Sequence, residues 1–181
     1  AQPCPTARVT PLSRAGDNAN ERTRLKTIVN GFNAGGTTAG QLGTGWAWNI
    51  VSPKWNSFWS AGWGAAPAAA NGQANTIKAV ILMTDGEYNT VDGQCDNSGC
   101  TPYGTRGKKS NDTARDLCKA MKDDGVIVYT IGFQLNHPVA IETLDRCATS
   151  ERTAFLAQNG DELREAFRSI AQSLTNLRLT Q

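Results

Sequence analysis

Residues 77–87 read Ile77-Lys78-Ala79-Val80-Ile81-Leu82-Met83-Thr84-Asp85-Gly86-Glu87, and the reading of this stretch decides the fold. Five of its first seven residues are large and apolar, and the run stops at Thr-Asp-Gly. An unbroken apolar run this short predicts a strand buried on both faces, as in a parallel sheet covered by helices. Gly86 is expected to allow a sharp turn there. Asp85 is then left on the carboxyl edge of the sheet, where open α/β sheets bind ligands.

Downstream, Val126-Ile127-Val128-Tyr129-Thr130-Ile131-Gly132-Phe133 predicts a second strand of the same kind. Between the two, residues 88–109 read as an irregular insertion. Ser110 or Asn111 is expected to cap a helix with Ala114, Leu117, Cys118 and Met121 facing inward, closed by Asp123-Asp124-Gly125. A short helix follows from about Val139 to Ala148, with Ile141, Leu144 and Cys147 inward. Thr153–Ala157 reads as a short edge strand. A last helix from about Asp161 carries Leu163, Phe167, Ile170, Ala171 and Leu174.

Upstream the signal is weaker. Residues 7–12 predict an edge strand cut short by Pro11. Leu25, Ile28, Val29 and Phe32 make one stripe of an amphipathic helix. A second helix from about Thr38 carries Leu42, Trp46, Ala47, Ile50 and Val51 and stops at Pro53. Residues 53–76 form an insertion in which Trp55, Trp59 and Trp63 recur every four residues. These rings are expected to cover the core beneath a long loop, with a partner-binding patch as the alternative. Alternating strands and helices predict an α/β fold, a doubly wound and mostly parallel sheet with helices on both faces. Two strong strands are fewer than four helical stripes require, so part of the sheet, including its first central strand, is expected to lie outside this chain.

The 181 residues suit one domain, 39% hydrophobic and 19% charged, with a net charge of +2. That balance gives no argument for nucleic acid or an acidic membrane. No apolar run approaches the ~20 residues of a membrane helix. The chain opens with Ala-Gln-Pro-Cys rather than Met and reads as processed, truncated or engineered. Of the five cysteines, Cys95 and Cys100 flank a turn-rich Asp-Asn-Ser-Gly, a good spacing for a local disulfide. A single His and no Cys-x-x-Cys argue against zinc. Disulfides point to an oxidising compartment, with inert thiols in a cytosolic protein as the alternative. Cys4 is expected to be the one left over.

Gly35-Gly36-Thr37-Thr38-Ala39-Gly40 before a helix, a strand ending in Thr84-Asp85-Gly86-Glu87, and the later Val-Tyr-Thr-Ile-Gly-Phe strand together resemble the second half of a von Willebrand factor A domain. The cysteine pattern and the ending Ser173-Leu174-Thr175-Asn176-Leu177-Arg178-Leu179-Thr180 resemble, more narrowly, TadG-like proteins of the bacterial tight-adherence pilus system. The resemblance implies a metal-ion-dependent adhesion site in which Thr37 supplies a hydroxyl and Asp85 a carboxylate. Mg2+, or Mn2+ or Ca2+ in its place, would take such oxygen ligands and keep several waters. The alternatives are that Thr37 caps a helix and Asp85 stabilises a turn. Glu87 is expected to be solvated. The resemblance also pairs Cys118 with Cys147.

The family's Asp-x-Ser-x-Ser motif is absent. Asp96-Asn97-Ser98-Gly99-Cys100 imitates it but follows no apolar strand and ends in a thiol. The chain therefore reads either as the carboxyl-terminal piece of a longer polypeptide or as a degenerate domain. In the first case the motif and a membrane anchor lie in the missing part, and Cys4 bonds a cysteine there. The leading function is a non-enzymatic, metal-dependent binding module of a bacterial envelope or pilus-assembly protein, in the periplasm or at the cell surface. It would engage a protein partner through the metal edge. A scaffold subunit with a vestigial metal site is the second reading. Catalysis has little support, because the one histidine, His137, lacks any nucleophile motif around it.

Overall fold

The computed structural model describes residues 8–13, 18–33, 35–63, 65–91 and 93–179. Three parallel strands form its sheet: β1 (Ala79–Thr84), β2 (Ile127–Phe133) and β3 (Ala154–Ala157), in the order β1-β2-β3. Ala79 lies beside Ile127 and Thr84 beside Gly132, while Thr130 lies beside Ala154. The helices are α1 (Ala19–Asn30), α2 (Gly40–Val51), α3 (Asn56–Trp63), α4 (Thr105–Asp123), α5 (Pro138–Cys147) and α6 (Gly160–Leu179). Parallel neighbours need crossovers. Here α4 joins β1 to β2, and α5 leads from β2 to β3.

Each face of the sheet has its own apolar layer. Val80, Leu82 and Val128 pack with Cys118 and Met121 of α4 and Cys147 of α5, flanked by Ala47, Trp48 and Val51 of α2. On the opposite face Tyr129 and Ile131 pack under Ala166 and Ile170 of α6, joined by Leu163, Leu174 and Phe155. The Tyr129 hydroxyl, taken into this layer, is satisfied by Ser173 Oγ at 2.9 Å. β2 is buried along its middle five residues, as a strand covered on both sides must be. β1 is not, because α6 lies over its neighbours and leaves Ile81 and Met83 39% and 47% exposed.

Both expected disulfides are present, Cys95–Cys100 and Cys118–Cys147. The second ties α4 to α5 within the core. Cys4 lies outside the described residues.

Several expectations are corrected. Residues 8–12 form no strand, since Pro11 leaves the segment without a ladder; Leu12 C=O instead accepts from Ala66 N–H at 3.0 Å. Leu25, Ile28 and Val29 of the expected stripe fall on α1, capped by the Asn18 side chain, while Phe32 lies past its end; no residue of α1 is buried, and Val29 and Phe32 are about 60% exposed. Residues 53–76 are not a plain loop, for they contain a 3-10 turn at Pro53–Trp55 and then α3. Trp59 alone of the periodic rings is shown buried; Trp55 stays 37% exposed, and the Trp63 side chain lies outside the description. On α2 the core-facing residues are Ala47, Trp48 and Val51, whereas Leu42 and Trp46 face outward. α4 is capped at Gly104 and starts at Thr105, so Ser110 and Asn111 are buried inside it rather than capping it.

Candidate functional site at the carboxyl edge of the sheet

β1 ends at Thr84, whose hydroxyl accepts from Gly86 N–H at 3.2 Å and lies 2.9 Å from the Gly86 carbonyl. This closes a tight turn with Asp85 exposed at its apex. Gly86 does not take a left-handed backbone; a Cβ there would sit 3.3 Å from Thr38 Oγ1, a close contact that marks how near the two loops come. The loop before α2 therefore rests on the turn after β1. Asn89 fastens the two. Its side-chain oxygen accepts from Thr38 N–H at 3.0 Å, and its own N–H donates to the Thr38 carbonyl at 3.1 Å.

Thr37, half-buried, precedes that clasp, and Gly36 in front of it takes φ +85, a left-handed turn that most side chains resist. Thr37 and Asp85 thus lie on neighbouring loops at one end of the sheet. Thr37 does not cap α2; the capping position is Ala39, and no side chain bonds there.

Beneath the clasp lies Tyr88, 6% exposed, its ring packed on the first turn of α2 at Gly40. Asn111 of α4, also buried, donates to the Tyr88 carbonyl and to that of Gly107, each at 2.8 Å. Thr143 of α5 donates to Asn111 Oδ1 at 2.7 Å. The edge loop is therefore anchored through α4 to α5.

Burial pushes the Tyr88 hydroxyl to a raised pKa, partly offset by a hydrogen bond with Thr44. The folded state thus holds this proton more tightly than the unfolded chain, so the contribution is intact below about pH 10 and is lost as pH rises further. Urea midpoints measured between pH 8 and 11 should fall above pH 10, and Tyr88→Phe should flatten that fall.

Two contacts at this edge were not legible in the sequence. Glu87 is not simply solvated. Its carboxylate lies 3.6 Å from His137 Nε2, an ion pair when the imidazole is protonated, and the Tyr103 ring lies 4.7 Å from the His137 ring. The decoy Asp96-Asn97-Ser98-Gly99 has a structural job: Asp96 accepts from Arg106 N–H at 3.1 Å at the start of α4 and pairs with the Arg106 side chain. Among the described residues no three His, Cys, Asp or Glu side chains are grouped to hold a metal. Thr37 and Asp85 offer one hydroxyl and one carboxylate, a hard-oxygen pair that fits Mg2+ only with water filling most of its six positions.

No family model matches the chain, and no curated protein does. Two solved structures share its fold. Both are of the pilus adhesin SpaC from Lactobacillus rhamnosus GG, one of them in an open conformation. They align with TM-scores of 0.60 and 0.61 at 17% and 18% identity, each over 91% of this chain. The chain spans 22% of the length of those structures. At such identity the likeness is one of fold.

Proposed function

We propose that this chain is a von Willebrand factor A-like binding module of a TadG-like pilus or envelope protein. It binds a protein partner at the carboxyl edge of its sheet and carries no catalytic activity. The observation that carries the reading is the Thr38–Asn89 clasp, which sets Thr37 and Asp85 on adjoining loops. The fold shared with a pilus adhesin and the two disulfides support a place outside the cytoplasm, in the periplasm or on the cell surface. A membrane anchor, and a further segment that Cys4 could bond, would belong to sequence beyond these residues.

In this reading Thr37 and Asp85 hold Mg2+, or Mn2+ or Ca2+, and the ion offers an open position to a carboxylate of the partner. Two protein ligands predict weak binding, with Kd about 1 mM or above. Calorimetry with Mg2+ and Mn2+ should detect it in the native chain and lose it in Asp85→Ala. Because Asp85 is exposed, that change should leave stability within about 0.5 kcal/mol. Capture of the partner should fail equally in chelator; capture that persists unchanged defeats the metal reading. The short donor set favours one other reading, a scaffold subunit whose metal site is vestigial, and silent calorimetry would select it.

A further inference from the structure

Three Asn-Gly pairs occur in the chain, Asn30-Gly31, Asn71-Gly72 and Asn159-Gly160. Such a pair is open to self-attack, because the glycine carries no side chain to keep its backbone nitrogen from the asparagine amide carbon. The fold treats the three differently. At the end of α1 the Gly31 N–H donates to the Thr27 and Ile28 carbonyls, each at 3.1 Å. Asn159 is held at the start of α6. Its Oδ1 accepts from the Asp161 and Glu162 N–H groups, both at 3.0 Å, and its Nδ2 donates to Glu162 Oε1 at 2.8 Å. Neither pair can bring nitrogen onto carbon without breaking these bonds.

Asn71-Gly72 stands in a turn before β1, and both residues are exposed. Gln73 N–H reaches the Ala70 carbonyl only at 3.4 Å, and among the described residues no backbone carbonyl accepts from Gly72 N–H. A Cβ on Gly72 would meet nothing within 4 Å, so the turn has room to rotate. The close contact is on the amide itself, where Lys78 Nζ donates to Asn71 Oδ1 at 2.5 Å. Oδ1 is the atom that gains negative charge when a nitrogen attacks the carbon beside it, so the ammonium stands where the transition state needs a donor. Lys78 is itself fixed at the start of the β1–β2 ladder, its carbonyl accepting from Ile127 N–H at 2.9 Å.

We infer that Asn71 is a self-modification site, at which the chain converts this asparagine to aspartate or isoaspartate with Lys78 stabilising the oxyanion. The Gly72 nitrogen gives its proton to solvent hydroxide and bonds to Asn71 Cγ. The Cγ–Nδ2 bond then breaks, and Nδ2 takes a proton from water and leaves as ammonia. One water opens the remaining five-membered imide at either carbonyl, giving aspartate or isoaspartate. The sum is one water consumed and one ammonia released, with nothing oxidised or reduced. Lys78 does not attack in place of Gly72, because the ammonium that donates this bond has no lone pair. The product sets a carboxylate against Lys78 where a neutral amide stood and takes one from the net charge of +2. The site lies before the amino end of β1, away from Asp85 at its carboxyl end, so it stands apart from the binding reading above.

The test incubates the whole chain in mildly alkaline buffer and follows the three asparagines by peptide mapping with mass spectrometry. Asn71 should gain one dalton at least tenfold faster than Asn30 or Asn159. In guanidinium chloride, with the chain unfolded, the three rates should converge. Lys78→Gln should slow the change at Asn71 at least threefold while the other two sites keep their rates. Lys78→Arg, which can donate to the same oxygen, should restore most of the loss. Equal rates in the folded chain, or an Asn71 rate indifferent to Lys78→Gln, overturns the proposal. A ranking that persists in denaturant overturns it too, because sequence and not the fold would then set the rates. So does a lasting loss of ammonia without uptake of water that joins the Asn71 and Lys78 peptides, which would assign the pair to a cross-link.

Discussion

Replacing Cys118 and Cys147 together with alanine is expected to lower stability by about 3–4 kcal/mol. The bridge spans 29 residues, and a closed loop of that length removes an entropy from the unfolded chain worth about 3.6 kcal/mol at 25 °C. Both cysteines are fully buried and both belong to the layer that also holds Met121 and Val128, so the native state loses packing as well. Against a typical total of roughly 5–15 kcal/mol, this is a large share. The Cys95–Cys100 bridge spans only 5 residues and should be worth about 2 kcal/mol by the same relation. It is also partly exposed. Mild reductant should therefore open Cys95–Cys100 first, while Cys118–Cys147 should yield only on unfolding. Thiol labelling with mass spectrometry, alongside urea midpoints, reads both. Equal sensitivity of the two bridges would contradict the burial described here.

Gly40→Ala should cost about 2–3 kcal/mol, an unusual penalty for a change that normally favours a helix. The added methyl would lie 2.1–2.2 Å from three atoms of the Tyr88 ring. Tyr88 cannot easily step aside, because its carbonyl is held by Asn111 and its ring is enclosed. Either α2 moves outward or the segment after β1 does, and both strain the Thr38–Asn89 clasp. The same substitution should thus weaken metal binding without touching a ligand. Tyr88→Leu added to Gly40→Ala should recover part of the loss. Strict additivity in that double-mutant cycle would show that the ring is not the cause.

The parts of the fold legible in the sequence were those whose signal is local. β1 and β2 announce themselves as unbroken apolar runs, and α5 carries its stripe at helical spacing; on α6 Leu163, Ile170 and Leu174 face the sheet as expected, but Phe167 stays 42% exposed and Ala166 is buried in its place. Elsewhere the pattern described a surface that the described residues do not cover. The stripe through Val29 and Phe32 is periodic, yet among the described residues Leu25 and Ile28 are only partly covered and Val29 and Phe32 stay about 60% exposed. Periodicity reports amphipathicity and cannot say whether a partner is present. The first turn of α4 was missed because residues 105–109, Thr-Arg-Gly-Lys-Lys, hold no apolar residue. Helix continues there because Asp96 holds the Arg106 amide and because Gly107 fits against Thr101 and Pro102. At the site, Thr37 and Asp85 could be read from their motifs. Asn89, Tyr88 and Asn111 could not, since what they do depends on neighbours as far as 51 residues away.

The Cys118–Cys147 bridge encloses the whole of β2 and of α5. Tension applied to the two ends of the chain crosses from α4 to α5 through sulfur and bypasses the middle strand. About 100 Å of backbone is thereby withheld from stretching. A tether built on this domain would lengthen in its outer segments first, and the backbone of its central strand would not be drawn out until the covalent link itself was broken.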